Sequence, residues 1–333
     1  MIGLHDVTLR DGNHALRHQL STEQVRRYCD LADQSKVDVV EVGHGNGIGA
    51  SSYLVGKSFE TDFDLLSQAR ESLKRAKLGI HVIPGFATFK RDVAMAIDCG
   101  VDVFRVAAHV TEADVCSAHL ERLTGLGVFT TGVLMMSHMA STEVLTSEAL
   151  KLRDHGAGGF VFMDSAGVFR PEDVAVRSRS LRDSLGPTYP IGFHAHNNLG
   201  YGLANSISAI SNGADSIDAS AAGLGAGAGN LNLELWGVWL QDQGHLDESE
   251  SDIFISMAEL IEDLFTPNLP RISSQSVRSG LAGAFSGYSP QVAMASQSHG
   301  VSTQAIWREI GARGLVAGQE SAIWEIAQDL SNL

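Results

Sequence analysis

The sequence predicts an α/β fold, a (β/α)8 TIM barrel with an all-helical domain at its C-terminal end. Three observations predict it. Short apolar runs rich in Val and Ile alternate with longer segments of helical periodicity. The runs start about 25 to 40 residues apart, the length of one βα unit. The alternation stops near Asp252, beyond which only helical patterns remain.

Taken in order, the runs place strands near Ile2–Leu9, Val37–Val42, Leu78–Ile83, Val103–Ala107, Val128–Leu134, Gly159–Met163, Ile191–His196 and Ser216–Ala219. Several are continuously apolar, as parallel strands covered on both faces should be. A doubly wound open sheet is the alternative, but it usually has about five or six strands, and eight units in series favour closure. Between the strands, Ser21 with Gln24 offers a capping box for a helix running to about Gln34. Pro171-Glu172-Asp173 suits a first helical turn. The segment Gly202–Asn212 carries Leu203, Ile207 and Ile210 on one stripe and is closed by Gly213.

Beyond Asp252, helices are expected at Ile253–Leu264, Val277–Ala284, Pro290–His299, Thr303–Arg313 and Glu320–Leu330, with Pro267 and Pro270 marking a linker. The expected division is therefore a barrel over residues 1–252 and a small helical domain over 253–333. A chain of 333 residues has room for both.

Composition narrows the function. With 44% apolar and 19% charged residues and no low-complexity tract, the chain reads as globular. The formal charge of −15 and the lack of any Lys/Arg run argue against a nucleic-acid or membrane partner. Cys29, Cys99 and Cys116 show no CxxC spacing and read as reduced thiols. The N-terminus has no signal-peptide pattern, and no apolar stretch reaches the roughly 20 residues of a membrane span, so a soluble cytoplasmic protein is expected.

TIM-barrel active sites lie at the C-terminal ends of the strands. The first strand ends in Arg10-Asp11-Gly12-Asn13-His14, a cation, a carboxylate and an imidazole in one turn. The seventh ends in His194-Ala195-His196, whose alternation sends both imidazoles to one side. Two imidazoles and a carboxylate make a mixed site for a divalent metal, and Mn²⁺, Mg²⁺, Co²⁺ and Zn²⁺ all suit it. The bland alternative for a bare His-x-His is a structural pair; the Arg-Asp turn at the same end of the barrel favours the metal. Arg10 suits an enolate or carboxylate oxygen, against the alternative of a salt bridge to Asp11 alone. His14, as a neutral imidazole, could accept a hydroxyl proton. Ser165, after the sixth strand, could offer a hydroxyl or backbone N–H to a carboxylate. Arg105 and His109 come from the fourth strand, where Arg105 equally fits a polar layer inside the barrel. The loop Gly223–Asn230 is glycine-rich, but no Lys-Ser/Thr follows, which excludes a P-loop. It reads as a close backbone approach to the barrel mouth, with Asn230 opening the next helix.

The motifs Asp6-Val7-Thr8-Leu9-Arg10-Asp11-Gly12, His194-Ala195-His196-Asn197 and Gly223…Gly229-Asn230 resemble those of the metal-dependent lyase superfamily that includes 3-hydroxy-3-methylglutaryl-CoA lyase, 2-isopropylmalate synthase and the pyruvate-carboxylase transferase domain. Within it the chain is similar, nearly end to end, to the 4-hydroxy-2-oxovalerate aldolase family. The matching stretches are Asp11-Gly12-Asn13-His14, His44-Gly45-Asn46-Gly47, Pro84-Gly85, Asp164-Ser165-Ala166-Gly167 and the tail Val316-Ala317-Gly318-Gln319-Glu320. The acyl-CoA-condensing members usually carry Gln in place of His14.

The resemblance implies a class II aldolase that gives pyruvate and an aldehyde, of the kind met in aromatic-hydrocarbon catabolism. Asp11, His194 and His196 would hold the metal, Mn²⁺ first with Mg²⁺ or Co²⁺ as alternatives. His14 would be the base and Arg10 the enolate-stabilising cation. It further implies an oligomer and an acylating aldehyde dehydrogenase as partner. Two departures stand out. Phe285 occupies the position of a family Tyr that reaches into the pocket, with Tyr288 three residues on as a substitute; both are candidate substrate-binding residues. Asn46 stands where an Asp is usual. These leave the aldehyde and the stereochemistry open, a biosynthetic aldolase with another acceptor included. The rival readings are an acyl-CoA-dependent lyase or synthase of the same superfamily and a non-catalytic scaffold.

Overall fold

The computed structural model describes residues 2–266, 269–316 and 318–332. Pro267 of the expected linker and Ala317 of the tail motif lie outside the described residues. Eight parallel strands close into a barrel in chain order, which rules out the open doubly wound sheet. They are β1 Gly3–Leu9, β2 Val39–Val42, β3 Lys77–Val82, β4 Val103–His109, β5 Thr130–Met135, β6 Gly159–Asp164, β7 Ile191–Ala195 and β8 Ser216–Ala219. Each lies within about two residues of its sequence expectation.

The surrounding helices are α1 Thr22–Ala32, α2 Asp62–Ser72, α3 Ala94–Asp98, α4 Ser117–Gly125, α5 Thr142–Asp154, α6 Pro171–Leu185, α7 Gly202–Ser211, α8 Leu233–Asp242 and α9 Glu248–Phe265. The Ser21–Gln24 capping box forms at the start of α1, and Pro171 opens α6. Helix α9 begins five residues before the expected Ile253, because Asp247 and Glu250 form a capping box that went unread. The expected division after residue 252 therefore falls inside one helix. Its buried Phe254, Met257, Ile261 and Phe265 join the core shared by strands and outer helices. Gly237 lets α9 sit close on α8: a Cβ there would lie 2.5 Å from the Phe254 ring.

Four more helices follow: α10 Ser274–Leu281, α11 Ser289–His299, α12 Thr303–Arg313 and α13 Ala322–Ser331. Helix α10 is shifted three residues earlier than expected. Ser273 and Ser276 cap its start, and Gly283, with φ +63°, takes the chain out of it. These helices bury their own apolar cluster, centred on Tyr288, Trp307 and Ile323.

The inner face of the barrel is divided. On β4 to β6, Ala107, Val133, Val161 and Met163 form an apolar cluster, flanked by Ile83 and Met135. The other side carries charge: Glu41 on β2, Arg105 on β4 and Asp218 on β8 are all essentially inaccessible to solvent. Strand register sets His81 beside Arg105 and His194 beside Asp218. No helix among the described residues is long and apolar enough to cross a membrane.

Candidate active site

The chain leaves β1 through Arg10 into one turn of 3₁₀ helix, Asp11–His14. Across the mouth, β7 delivers His194, and His196 follows just past its end. One ligand atom each from Asp11, His194 and His196 lies within 4.8 Å of the others, all buried. Each histidine is oriented through its Nδ1: His194 pairs with the Asp218 carboxylate at 2.9 Å and His196 with the Asp164 carbonyl at 3.1 Å. Donation through Nδ1 leaves a lone pair on each Nε2; neither Nε2 has a hydrogen-bond partner among the described residues, and that of His196 points at Asp11 Oδ2, 3.6 Å away.

Two buried imidazole nitrogens without hydrogen-bond partners among the described residues, converging on a carboxylate, fit a divalent cation. Asp11 is ready to bind one. Burial alone would raise its pKa, but Arg10 and the two imidazoles overcome that and hold it well below the usual carboxylate range. Its Oδ2 also accepts from the Asn230 side chain at 2.9 Å. Asn230 thus holds Asp11 instead of opening a helix, and α8 starts only at Leu233.

Arg10 is clamped on one side and free on the other. Its Nε donates to Glu41 at 2.9 Å and its Nη1 to Asp11 at 2.8 Å, while Nη2 is buried without a partner among the described residues. The salt bridge to Asp11 is therefore present, but it leaves one donor to spare. Glu41 sits between Arg10 and Arg105. Against the upward push of burial, Arg105 and then Arg10 bring its pKa down to about 2. Arg105 bonds Asp218 at 2.7 Å, so a chain of opposite charges links the His194 carboxylate partner to Arg10.

His14 lies flat on the backbone of Gly45; a Cβ at Gly45 would come within 2.6 Å of its ring. Burial pushes the His14 imidazole down to about 4, with Arg10 and His196 adding to the effect and Asp11 opposing it. It is neutral at physiological pH. Behind it Arg17 and His18 both adopt left-handed backbone, φ 53° and 62°, a strained reversal for residues with side chains. The His18 ring stacks on His44 at 3.5 Å, and burial holds these two at about 2 and about 4.

Arg10, Asp11, His14, Ser165, His196 and Phe285 line one cavity of about 180 Å³ with Asn46, His81 and His109, closed on the far side by Ile83, Ala107, Met135, Met163 and Val316. Ser165 Oγ accepts the Met136 N–H at 2.9 Å, which leaves its hydroxyl proton for the cavity. Phe285 faces His14 with ring centroids 5.8 Å apart. Tyr288 is not on the wall. It is buried in the helical cluster behind Phe285, 5.7 Å between centroids, so its ring serves packing instead of replacing a pocket hydroxyl. Arg105 belongs to the interior charge chain. Sequence reasoning passed over Glu41, Asp218 and His81 and read Asn230 as a helix start. The first two carried a usable signal, a charge at an inward position of a buried strand, whereas Asn230 emerges only when the glycine-rich loop is seen folded.

The HMGL-like family matches residues 1–261, and the DmpG-like communication domain matches residues 270–332. A curated 4-hydroxy-2-oxovalerate aldolase from Pectobacterium atrosepticum is 47% identical over 330 residues, 98% of this chain and 95% of that protein. One of the same name from Spirochaeta aurantia is 46% identical over 327 residues, again 98% and 95%. Among solved structures, the carboxyl transferase domain of Rhizobium etli pyruvate carboxylase superposes with a TM-score of 0.81 at 17% identity. It covers 99% of this chain and 60% of that one, a likeness of fold alone.

Proposed function

Because this chain belongs to the HMGL-like family and, within it, to the 4-hydroxy-2-oxovalerate aldolases, it is a carbon–carbon lyase, and we propose that it splits 4-hydroxy-2-oxo acids into pyruvate and an aldehyde or joins the two. The observation that carries the reading is a convergence. The spare Arg10 Nη2, a neutral His14 and His196 line a cavity whose far wall is apolar, and His194 stands behind them within ligand distance of Asp11 and His196.

Asp11, His194 and His196 would hold the cation, manganese in our reading, with magnesium or cobalt as alternatives. Bound there, it would supply Lewis acidity for the 2-oxo acid. In the cleavage direction His14 takes the proton of the C4 hydroxyl. The C3–C4 pair is released toward C3, and Arg10 Nη2 donates to the enolate oxygen that develops. The Ser165 hydroxyl is a further donor toward the substrate carboxylate. Phe285 and the Ile83–Met163 side of the cavity exclude water from the aldehyde end. Phe285 brings no hydroxyl, so the aldehyde is held by shape, and a chain longer than acetaldehyde has an apolar wall to meet.

We place the division between the two units after α9 and assign the second as the face that meets an acylating aldehyde dehydrogenase, in an oligomer working in the cytoplasm. The test is pyruvate release, coupled to lactate dehydrogenase, from 4-hydroxy-2-oxo acids of increasing chain length. It is run after EDTA treatment and again with Mn²⁺ restored. Metal-dependent turnover that disappears in Asp11→Ala supports the reading. No pyruvate from any of these acids, with metal demonstrably bound, removes it.

A further inference from the structure

Asn198 lies two residues after His196, in the loop leading from β7 to α7, and is completely buried. Its side chain turns away from the cavity and reaches the helical unit. There Nδ2 donates to the Ser276 carbonyl at 3.1 Å and contacts Ser279 Oγ at 2.9 Å and Ser286 Oγ. Ser279 in turn donates to the Ser276 carbonyl at 2.9 Å and meets Ser286 at 3.2 Å. All three serines are buried. Glycines make room for the contact. A Cβ on Gly227 would lie 2.2 Å from Ser286, and one on Gly167 would lie 2.8 Å from the Asn198 Cβ.

The position of this cluster is what gives it meaning. Ser286 directly follows Phe285, the aromatic ring that faces His14 across the cavity. Phe285 caps a single 3₁₀ turn, Ser286–Tyr288, closed by the Tyr288 N–H to the Phe285 carbonyl at 3.3 Å. Asn198 Oδ1 has no partner among the described residues, but Nδ2 and the three serines pair with one another, and sliding the two surfaces would leave these buried donors unpaired as well. We propose that Asn198 is a positioning residue for the aldehyde end of the site. Through Ser279 and Ser286 it fixes Phe285 against His14, and so sets which aldehyde fits. It does this without taking part in the binding of pyruvate or metal.

The inference rests on the aldolase reading, and the test separates the two. In wild type and Asn198→Ala, two reactions are followed in the Mn²⁺-loaded enzyme: exchange of the pyruvate C3 protons with deuterium, which needs no aldehyde, and cleavage of 4-hydroxy-2-oxo acids of several chain lengths. Exchange is expected to stay within about threefold of wild type. Cleavage should fall by about tenfold to a hundredfold, as for misplaced reacting groups, with a flatter chain-length profile. Phe285→Ala should flatten the profile in the same way, and adding Asn198→Ala to it should change little further, since both act through one contact.

Ser286→Ala is the milder second variant should Asn198→Ala fold poorly, and it should flatten the profile in the same direction. Amide hydrogen exchange of residues 274–289 should rise in either variant while the barrel strands stay protected. Exchange and cleavage falling in proportion would overturn the proposal in favour of a role at His196. An unchanged profile with unchanged amide protection of 274–289 would overturn it outright. A wild type that neither exchanges pyruvate protons nor cleaves any of the acids defeats the aldolase reading alone, and the amide measurement still decides whether Asn198 holds the turn.

Discussion

Replacing Asp218 by Asn keeps the shape of the side chain and removes its charge. In the folded protein one oxygen, Oδ2, serves both His194 Nδ1 at 2.9 Å and Arg105 Nη2 at 2.7 Å, so one substitution strikes two functions. Toward the metal, a neutral amide no longer sharpens the basicity of His194. Partners of this kind are worth about 10- to 100-fold in metal affinity, or about 1.4–2.7 kcal/mol. Toward stability, Arg105 stays fully buried with only Glu41 at 3.5 Å to balance it. Breaking one arm of a buried charge pair costs about 3–5 kcal/mol, and because the amide oxygen still accepts a hydrogen bond the lower figure is expected. Mn²⁺ titration of EDTA-stripped protein reads the first effect, and urea unfolding of the same metal-free protein reads the second. The double variant Asp218→Asn with Arg105→Met should recover only part of the stability, since the unpaired Arg105 is gone but the buried Glu41 then keeps Arg10 alone, and it should recover none of the metal affinity. Mn²⁺ affinity within twofold of wild type in Asp218→Asn would refute the claim that the carboxylate sets the ligand.

Three further outcomes are expected. Burial raises the Asp6 carboxyl to about 6 against the pull of its bonds from Thr8 and Tyr28. A folded pKa above the unfolded one favours the protonated form, so the cost is absent below about pH 4 and complete above about pH 6. Relative to wild type, Asp6→Asn should therefore gain up to about 3 kcal/mol of stability between pH 4 and pH 8 in urea titrations. Tyr288→Phe removes a buried hydroxyl that has no partner among the described residues; it should leave kcat/KM unchanged and stability equal or higher. Gly45→Ala pushes a methyl into the His14 ring, so steady-state assays should show kcat falling by about a hundredfold with metal affinity retained.

Much of this site could be read from the chain, and the reason is local. Arg10, Asp11 and His14 lie within one turn, and His194 and His196 share a side by strand alternation, so short-range geometry already brings each set together. The barrel then joins the two sets, because β1 and β7 both flank β8. What escaped was long-range. Asn230 reaches Asp11 across 219 positions, and although it ends a motif that carries the resemblance, nothing local says which residue it holds. The hydroxyl of Tyr288 looked like a substitute for the one missing at Phe285 because the two are close in sequence, but one short turn separates a wall residue from a core residue. The start of α9 was misplaced for a simpler reason: its polar first turn, Glu248–Ser251, resembles a loop until Asp247 is recognised as its cap.

The divided interior of the barrel has an evolutionary consequence. In the proposed reaction the charged groups lie mainly on β1, β2, β7 and β8, with Arg105 reaching in from β4 and the Asp164 carbonyl from β6, whereas the apolar lining comes from the loop after β3, from β4 to β6 and from the helical unit. Substitutions at Ile83, Ala107, Met135, Met163 or Phe285 can therefore accumulate without touching a charged partner of the catalytic residues. On the proposed function, a lineage with this architecture could change the aldehyde it uses by drift along one wall while the metal-binding set stays intact.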